Sequence, residues 1–447
     1  MSDTIRTFTL VKALTGLAIA WWLLSYLRAP SNYHQITRKF RGERANFISD
    51  FRNHEISGLF DGSPITQLCE SKKWTKDLLF TCTPQTGGIG EVRNGHLNCI
   101  RLATEAGAEL VLPELVRRSE LDIAQVVPLS KGTPRGVGLD YFYDTIHLSH
   151  SLSTYCPQMK VHRSIDDLFD VPMGNPIHIN TRELSMDIIN GSIFKYPQNW
   201  ATVLDSYLDA KAPPKSRTSP LRVIIGQLLY KWPTSYDQTA FVQNFGRILR
   251  YRGDTKQLAG SALYTMQKRF KLSLDLRHGA LSHANFAGVH LRTEKYGWGR
   301  FPSYDEQVAY YLDHLVNSRY STVYLGSGTT TREIKAFTER ALEFNITVAT
   351  KKDLLDVAEL DYLESLSWDQ QAQVDYELLL RAGLVIGTCE SSFAWNLALR
   401  RASSVGLVGG RTGPELNPEG HVRWNDGLST IMGKTEENGN MQLSIWP

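Results

Sequence analysis

Three ionisable side chains alternate at the end of an apolar segment with the sequence GVHLRTE. Because side chains alternate across a strand, His290, Arg292 and Glu294 project from one side and Val289 and Leu291 from the other. The carboxyl end of a buried parallel strand lines a ligand crevice. An arginine there suits a diphosphate, since its planar guanidinium donates two parallel hydrogen bonds and stays charged. An ion pair between Arg292 and Glu294 at a domain edge is the alternative.

A second candidate anion site lies in GLVIGTCESSFAWNLALRR, residues 383–401. An apolar strand ends there in a short turn, and Ser391 or Ser392 occupies the N-cap position of an amphipathic helix. The free N–H groups and the positive end of such a helix attract an anion. The pattern predicts that both serines and nearby backbone amides hold a phosphate of a nucleotide sugar, although serines also cap helices routinely without binding any ligand.

A glycine-rich turn, GGIGEVRNG, follows an early apolar strand. The dinucleotide-binding fingerprint is G-x-G-x-x-G, and Arg93 stands where the third glycine should follow Gly88 and Gly90. No acidic residue that could hold a ribose clearly closes the second strand, so a nicotinamide or flavin oxidoreductase is disfavoured. The turn is expected either to bring its backbone to a ligand, with Glu91 and Arg93 facing a cleft, or to be an ordinary tight turn.

The helix DQQAQVDYELLLRA carries Asp375 close to its apolar stripe, beside Val374 and Leu378. An acid at this position either accepts hydrogen bonds from a base or a ribose, or lies on the solvated shoulder of the helix. The residues alone leave both interpretations open.

The elements that hold these residues alternate between strand and helix. From residue 281 the order is strand FAGVHLR, helix YDEQVAYYLDHLVNS, strand STVYLGSG, helix TREIKAFTERALEF, strand ITVAT, helix DQQAQVDYELLLRA, strand GLVIGT, helix SSFAWNLALRR and strand SSVGLVG. Repeated units of this length predict an open parallel sheet with helices on both faces. An earlier βαβ unit runs from LLFTCTP to AELVLPEL, so we expect an α/β chain with two Rossmann-like domains facing a cleft.

The N-terminal sequence predicts a membrane anchor followed by a stem. Residues 8–27 contain Lys12 as their only charge and are long enough to cross a hydrocarbon core if that lysine snorkels. The positive charges of Arg6 and Lys12 predict that residues 1–7 are cytosolic and that the body of the protein is lumenal. A cleaved signal peptide and an amphipathic surface helix are the alternatives. Residues 28–76 are polar and irregular, as is typical of a flexible stem.

Composition argues against several partners. Lys and Arg number 49 against 46 for Asp and Glu, so nucleic acid is not expected as a partner. The five cysteines form no CxxC pair or His/Cys cluster, which disfavours a structural zinc site. Disulfides can form if the body is lumenal, but the sequence does not assign them. Cys99 and Cys389 lie in apolar runs that suit buried free thiols. Glycosylation sequons at Asn190 and Asn345 fit a lumenal body.

These segments together resemble the GDP-fucose O-fucosyltransferase superfamily, enzymes of the GT-B fold. In the first domain that family carries a Gly-Gly loop, a downstream arginine and A-x-L-V-L-P, matched by Gly87, Gly88, Arg93 and AELVLP. The second domain opens with H-x-R or H-L-R-x-E, matched over residues 290–294. The last motif is an aspartate on a helix, a strand and S-S-F at the start of a helix. Its matching residues are Asp375, Ser391, Ser392 and Phe393.

The resemblance spans roughly residues 78–407 and implies roles for the matched residues. Arg292 is expected to bind the donor's β-phosphate and to steady the departing GDP, with Glu294 orienting it. Some relatives use a glutamate of the glycine loop to activate the acceptor hydroxyl, which makes Glu91 the candidate base. Gly90 and Glu91 depart from relatives that carry Asn or Gln in this loop. The remaining expected donor-binding residues are His290, Asp375, Ser391, Ser392, Phe393, Gly87, Gly88 and Arg93.

The resemblance also implies the organisation of the body. Residues 77–280 are expected to form the acceptor-side domain, and residues 281–447 the nucleotide-sugar-binding domain. The tail after Gly410 is rich in Gly, Pro, Asn and Glu, a composition that predicts surface coil. Family members need no divalent metal, and the chain has no DxD run, so neither a metal nor another cofactor is expected.

The sequence therefore predicts an inverting glycosyltransferase of the Golgi or endoplasmic reticulum membrane that moves fucose from GDP-fucose to a protein or glycan hydroxyl. The acceptor and even the sugar do not follow from the resemblance, because relatives differ in both. A non-catalytic lumenal protein that binds a nucleotide or a glycan, and an enzyme that uses another nucleotide-deoxysugar donor, are the alternatives.

Overall fold

The computed structural model describes residues 42–127, 136–213, 220–226, 228–276, 281, 286–293, 301–407, 421–433 and 439–447. Residues 52–447 form one compact unit. A helix, α1, covers residues 42–53. The predicted anchor over residues 8–27 and Glu294 lie outside the described residues. None of the described helices is both long and apolar enough to span a bilayer.

The first half of the compact unit is built on a parallel sheet. The strands of this half are β1 (Leu78–Cys82), β2 (Glu109–Val111), β3 (Leu115–Val116), β4 (Gly136–Val137), β5 (Val161–His162), β6 (Ile177–Asn180), β7 (Ile188–Ile189), β8 (Ile193–Phe194) and β9 (Leu221–Gly226). The sheet has the order β5-β2-β1-β9-β6, and β3–β4 and β7–β8 form short antiparallel pairs. The helices are α2 (Ser63–Glu70), α3 (Ile89–Ala106), α4 (Thr145–Tyr155), α5 (Trp200–Lys211) and α6 (Thr239–Phe245).

Helix α3 is defined by glycines at both ends. Gly88 is its N-cap residue, and Gly107 closes it in the left-handed conformation with φ 61°. A Cβ atom at Gly107 would lie 1.9 Å from the main-chain oxygen of Lys73, so a larger residue has no room there. These two ends place the start of α3 at the carboxyl edge of the first sheet, immediately after β1.

The second half holds the sheet predicted from the strand–helix alternation. Its strands are β10 (Ala287–Leu291), β11 (Thr322–Ser327), β12 (Thr347–Ala349), β13 (Leu384–Thr388), β14 (Val422–Asn425) and β15 (Ser429–Met432). The order is β12-β11-β10-β13-β15-β14, parallel except for β14 against β15. All five residues of β10 are buried, because helices cover both faces of a parallel sheet. The predicted α/β class with parallel sheets is confirmed.

The helices of this half include one that precedes the predicted domain boundary at residue 280. They are α7 (Gly253–Phe270), α8 (Tyr304–Asn317), α9 (Thr331–Glu343), α10 (Lys351–Leu354), α11 (Val357–Ser365), α12 (Trp368–Leu379), α13 (Ser392–Ser404) and α14 (Gly439–Ser444). Helix α7 packs against α10 and α12. Packing therefore assigns residues 253–270 to the second half.

The C-terminal segment is not the surface coil that its composition suggests. The β14–β15 hairpin extends the second sheet, and Trp446 is fully buried. Trp446 Nε1 donates to Asn98 Oδ1 of α3 at 2.8 Å, and its ring lies 4.8 Å from that of Phe245. The chain thus returns from the second half to the first, a contact that no local pattern announces.

The predicted stem is also partly folded. Residues 52–76 contain α2 and the buried residues Ile56 and Ile65. A disulfide joins Cys69 of α2 to Cys156 after α4. A second disulfide joins Cys82 of β1 to Cys99 of α3, so the expectation of a free thiol at Cys99 is wrong. Cys389 is buried and free, as expected.

Candidate active site

His290 lies at the carboxyl end of β10, against the start of α13. Its Nε2 is 3.1 Å from Ser391 Oγ, and its ring stacks on Phe393 with 4.4 Å between ring centres. Burial, and secondly the positive charge of Arg292, lower the pKa of His290 to about 3. The imidazole is therefore neutral near pH 7, and it positions Ser391 and Phe393 without adding charge to the site.

Arg292 follows directly after β10 and is buried, with 4% of its surface exposed. Gln307 of α8 holds its main chain: Arg292 N donates to Gln307 Oε1 at 3.0 Å, and Gln307 Nε2 donates to Arg292 O at 2.5 Å. The guanidinium carbon lies 4.2 Å from the centre of the Phe301 ring, and Nη1 is 3.5 Å from the Glu390 carbonyl oxygen. A permanent cation is thus held close to the start of α13.

The start of α13 has the geometry of an anion site. Ser391 caps the helix by accepting a hydrogen bond from Ala394 N at 3.2 Å. Ser392 is 1% exposed, and its Oγ has no hydrogen-bond partner among the described residues. Leaving a buried hydroxyl unsatisfied costs about 1–3 kcal/mol, and a ligand oxygen would remove that cost. The hydroxyl, the free amides and the helix dipole favour the same kind of ligand, an anion.

The glycine-rich turn brings the start of α3 against the start of α13. Gly87 has φ 96°, which favours glycine, and its N–H donates to Ile123 O at 3.0 Å. At Gly90, a Cβ atom would lie 2.7 Å from both Phe393 N and Ser392 C. The N-termini of α3, which follows the first sheet's β1, and of α13, which follows the second sheet's β13, therefore meet here. Both contribute positive potential to the same region.

Glu91 and Arg93 have structural partners. Glu91 is buried and caps α3: its Oε2 accepts from Gly88 N at 3.1 Å, and Tyr230 OH lies 3.5 Å from Oε1. Arg93 is 1% exposed and donates to main-chain oxygens of the remote residues Gly246, Trp446 and Pro447 at 2.6–3.1 Å. The structure thus does not place Arg93 with the anion site at α13, and it places the Glu91 carboxylate in a helix cap.

Asp375 lies on α12 and packs against β11. Tyr324 OH donates to its Oδ1 at 2.6 Å, and Lys351 Nζ donates to its Oδ2 at 2.5 Å. Burial raises the pKa of Asp375, whereas Lys351 and Tyr324 favour the carboxylate. Gly326 of β11 allows this approach, since a Cβ atom there would lie 3.2 Å from Asp375 Cβ. Gly326 is also the strand partner of His290, so Asp375 adjoins the same strand ends.

A family model described as GDP-fucose protein O-fucosyltransferase matches residues 78–403, well over half of the chain. The chain belongs to the GDP-fucose protein O-fucosyltransferase family. The resemblance predicted from the motifs is therefore confirmed, and the chain is a glycosyltransferase. No group of three or more His, Cys, Asp or Glu that could hold a metal ion occurs in the part of this fucosyltransferase-family chain that the structure describes.

Solved structures similar to this family member share little sequence with it. POFUT1 in complex with GDP-fucose is 12% identical with a TM-score of 0.42, covering 82% of this chain and 99% of that one. The fucosyltransferase NodZ from Bradyrhizobium is 13% identical with a TM-score of 0.38, covering 75% and 93%. A mutant of Arabidopsis thaliana FUT1 in complex with GDP is 10% identical with a TM-score of 0.36, covering 77% and 71%. No curated protein matches the chain.

Sequence reasoning missed two residues that support the site of this O-fucosyltransferase family member. Lys351 pairs with Asp375, and Gln307 holds the main chain of Arg292. Lys351 had a usable signal, because it follows the strand ITVAT and so lies at the same carboxyl edge of the sheet as Arg292. Gln307 had none, since a glutamine within a helix gives no indication of its partner.

We expect this fucosyltransferase-family enzyme to lose stability as the pH falls. Burial lowers the pKa of both His290 and His96 to about 3, whereas an unfolded histidine titrates near about 6.5. Between these values the unfolded chain binds more protons, so the free energy of unfolding decreases towards low pH. Each histidine contributes up to about 1.4 kcal/mol per pH unit. Urea unfolding at several values between pH 7 and 4.5 measures the slope.

His96→Gln tests whether buried histidines cause this loss of stability at low pH, and His178→Gln is the control. His96 is fully buried with Nδ1 3.3 Å from Tyr143 OH, and the charge of Arg118 lowers its pKa further. His178 is exposed. The slope should become shallower in His96→Gln alone. An unchanged slope in that variant contradicts the prediction.

Proposed function

We propose that this chain is an inverting glycosyltransferase that moves fucose from GDP-fucose to a hydroxyl group of a protein or glycan and requires no divalent metal. The observation that carries the proposal is the meeting of Arg292 with the start of α13, where Arg292 Nη1 lies 3.5 Å from Glu390 O and the Ser392 hydroxyl is buried. A fixed cation at a helix N-terminus suits a diphosphate leaving group. The family assignment supports fucose as the sugar.

In the proposed reaction, the acceptor oxygen attacks the anomeric carbon of fucose from the face opposite GDP. The bond from that carbon to the β-phosphate oxygen breaks, and its electron pair leaves with GDP, so the configuration inverts. Negative charge grows on the diphosphate as the bond lengthens. Arg292 and the α13 dipole are already in place to stabilise it, the role that a divalent cation plays in other phosphate-transferring sites.

The proton of the acceptor hydroxyl must pass to a base, and Glu91 is the residue we propose. Glu91→Gln separates this role from capping, because glutamine also completes a capping box. We expect the variant to keep the thermal stability of the wild type and to lose about a hundredfold or more in kcat. Steady-state rates of transfer to a protein or glycan acceptor, at saturating donor, measure this. If a stable Glu91→Gln enzyme has the same kcat as the wild type, Glu91 is not the base and only caps α3.

A donor panel tests the proposed function. The purified full-length chain is incubated with GDP-fucose, other GDP-sugars and UDP-sugars, with and without EDTA, and nucleotide release and sugar transfer are measured. We expect release from GDP-fucose that EDTA does not abolish. Binding without turnover would favour the non-catalytic alternative, and preference for another sugar nucleotide would replace the donor.

We further propose that residues 8–27 anchor the enzyme in a Golgi or endoplasmic reticulum membrane with its body in the lumen. The two disulfides support this, because disulfides persist in oxidising compartments. Both sequon asparagines are exposed, Asn190 at the tip of the β7–β8 hairpin and Asn345 after α9.

A lumenal body predicts N-glycans at these two asparagines. Chain expressed in eukaryotic cells should shift in electrophoretic mobility when treated with a glycosidase that removes N-glycans. Asn190→Gln and Asn345→Gln should each remove one step of that shift, whereas Asn317→Gln, outside any sequon, should remove none. A wild-type chain with no shift argues against the lumenal body.

A further inference from the structure

Four neighbouring strands of the second sheet end in a row of polar residues. In the order β12-β11-β10-β13, the row comprises Lys351 after β12, Gly326 near the end of β11 with Asp375 against it, His290 near the end of β10, and Ser391 after β13. Because parallel strands carry their carboxyl ends to one edge, these residues lie at the edge where open α/β sheets bind their ligands. The row has a cationic, anion-binding end at Arg292 and α13 and a second charged end at Lys351 and Asp375.

The two ends are separated by a distance that suits a nucleotide. Neighbouring strands lie about 4.8 Å apart, so β12 is on the order of 10 Å from β10. That is comparable with the distance from the diphosphate of a nucleotide to its base. If the diphosphate binds at Arg292, as the proposed function requires, the base reaches the region of Lys351 and Asp375.

Lys351 and Asp375 are both buried, and Lys351 is the slightly more exposed of the two. Its side chain retains 11% exposure against 6% for Asp375, and Tyr324 is fully buried behind them. The contacts among the described residues use one of the three N–H groups of Nζ, the one donated to Asp375. This end of the row therefore offers a ligand an ammonium donor next to a carboxylate acceptor.

A buried ion pair is weak support for a fold, since apolar residues of similar volume usually serve as well. Here the pair places a fixed donor beside a fixed acceptor, and each Asp375 oxygen still has a lone pair to offer. Guanine presents the complementary edge, with the O6 acceptor next to the N1–H and N2–H donors. Adenine presents a donor at the position of O6 and would set that amino group against the ammonium.

We propose that Lys351 determines base specificity by donating a hydrogen bond to O6 of guanine while Asp375 holds its ammonium group in place. The proposal deepens the proposed function and rests on it. It predicts that Lys351 distinguishes GDP from ADP, whereas Arg292 and α13 bind the diphosphate of both.

Lys351→Met and Lys352→Met make a matched pair for the test. Lys352 is the next residue and carries the same charge, but its ion pair with Glu364 is exposed. The dissociation constants of GDP, inosine diphosphate and ADP are measured by calorimetry with the full-length chain. We expect Lys351→Met to weaken GDP and inosine diphosphate, which share O6, by about tenfold or more and to leave ADP unchanged. Lys352→Met should match the wild type, and Lys351→Arg should restore part of the preference.

A purely structural ion pair would give a different result. Losing it would weaken all three diphosphates alike, and that outcome, or identical behaviour of the two methionine variants, overturns the proposal. If Lys351→Met alone does not fold because it strands Asp375, the double substitution Lys351→Met, Asp375→Asn removes both charges. The preference for GDP over ADP should then fall by about tenfold or more, and an unchanged preference overturns the proposal. A wild-type chain that binds no guanine nucleotide refutes the proposed function itself, a result distinct from either of these.

Discussion

Arg292→Ala should lower kcat for fucose transfer by about a hundredfold to a thousandfold, the loss expected when a central electrostatic stabiliser of a leaving group is removed. The guanidinium is buried against Phe301 and lies 3.5 Å from Glu390 O, so it is already oriented before the donor binds. The diphosphate gains charge as the sugar departs, and the interaction therefore strengthens in the transition state. kcat and kcat/KM should both fall, and donor affinity should weaken as well.

Two further variants make this result interpretable. Arg292→Lys keeps the charge but loses the planar fork, so its turnover should lie between those of wild type and Arg292→Ala. Arg332→Ala removes an exposed arginine of α9 and should leave kcat unchanged. Thermal unfolding must accompany the kinetics, because Arg292 is itself buried. Near-normal transfer by a folded Arg292→Ala enzyme would refute the assignment of the leaving-group site.

Much of the site follows from strand ends. Alternation along β10 predicts that His290 and Arg292 project to the same side as each other, and the serine cap predicts the start of α13. The parallel sheet then brings Ser391 to 3.1 Å from His290 without any further information. Side-chain period and strand direction are local properties, so the sequence carries enough information to bring these two segment ends together.

Predictions that depended on remote partners fared worse. Arg93 was expected at the donor because it follows a glycine turn, but its guanidinium binds the main chain at Gly246 and Pro447, more than 150 residues away. No periodicity reveals such a partner. Glu91 of the same turn caps α3 by accepting from Gly88 N, and its proposed role as the base is a separate question that Glu91→Gln addresses.

The boundary of the body was misplaced for a similar reason. Residues 52–76 look like a linker because they lack an apolar period. They are held by contacts of another kind, namely a disulfide from Cys69 and hydrogen bonds that Arg247 donates to the main-chain oxygens of Gly58 and Leu59. Polar contacts of this kind leave no hydropathy pattern.

Glu55, within that segment, is surrounded by four cations and is expected to matter for stability. Its carboxylate is buried, and burial alone would raise its pKa. The surrounding cations outweigh burial and hold the pKa of Glu55 far below its usual range. These cations are Arg400 at 3.4 Å, Lys256 at 3.9 Å, Arg250 at 3.0 Å and Arg247 at 3.2 Å. Because Arg247 and Arg400 belong to different halves, Glu55 ties the two together.

Glu55→Ala should lower the free energy of unfolding by about 3–5 kcal/mol at pH 7, because it leaves four cations without their shared anion. Glu339→Ala is the control, since Glu339 is exposed and so is Lys335, its ion-pair partner one helical turn away; its loss should cost less than about 1 kcal/mol. Urea unfolding of both variants measures the difference. A carboxylate whose pKa is lower in the folded than in the unfolded chain stabilises the fold above its unfolded pKa, about 4.3 for glutamate. This stabilisation is lost progressively as the pH falls below that value. The difference in unfolding free energy between Glu55→Ala and the wild type should therefore become smaller in acid. Equal unfolding free energies for the two alanine variants at pH 7 would show that the cluster does not hold the halves together.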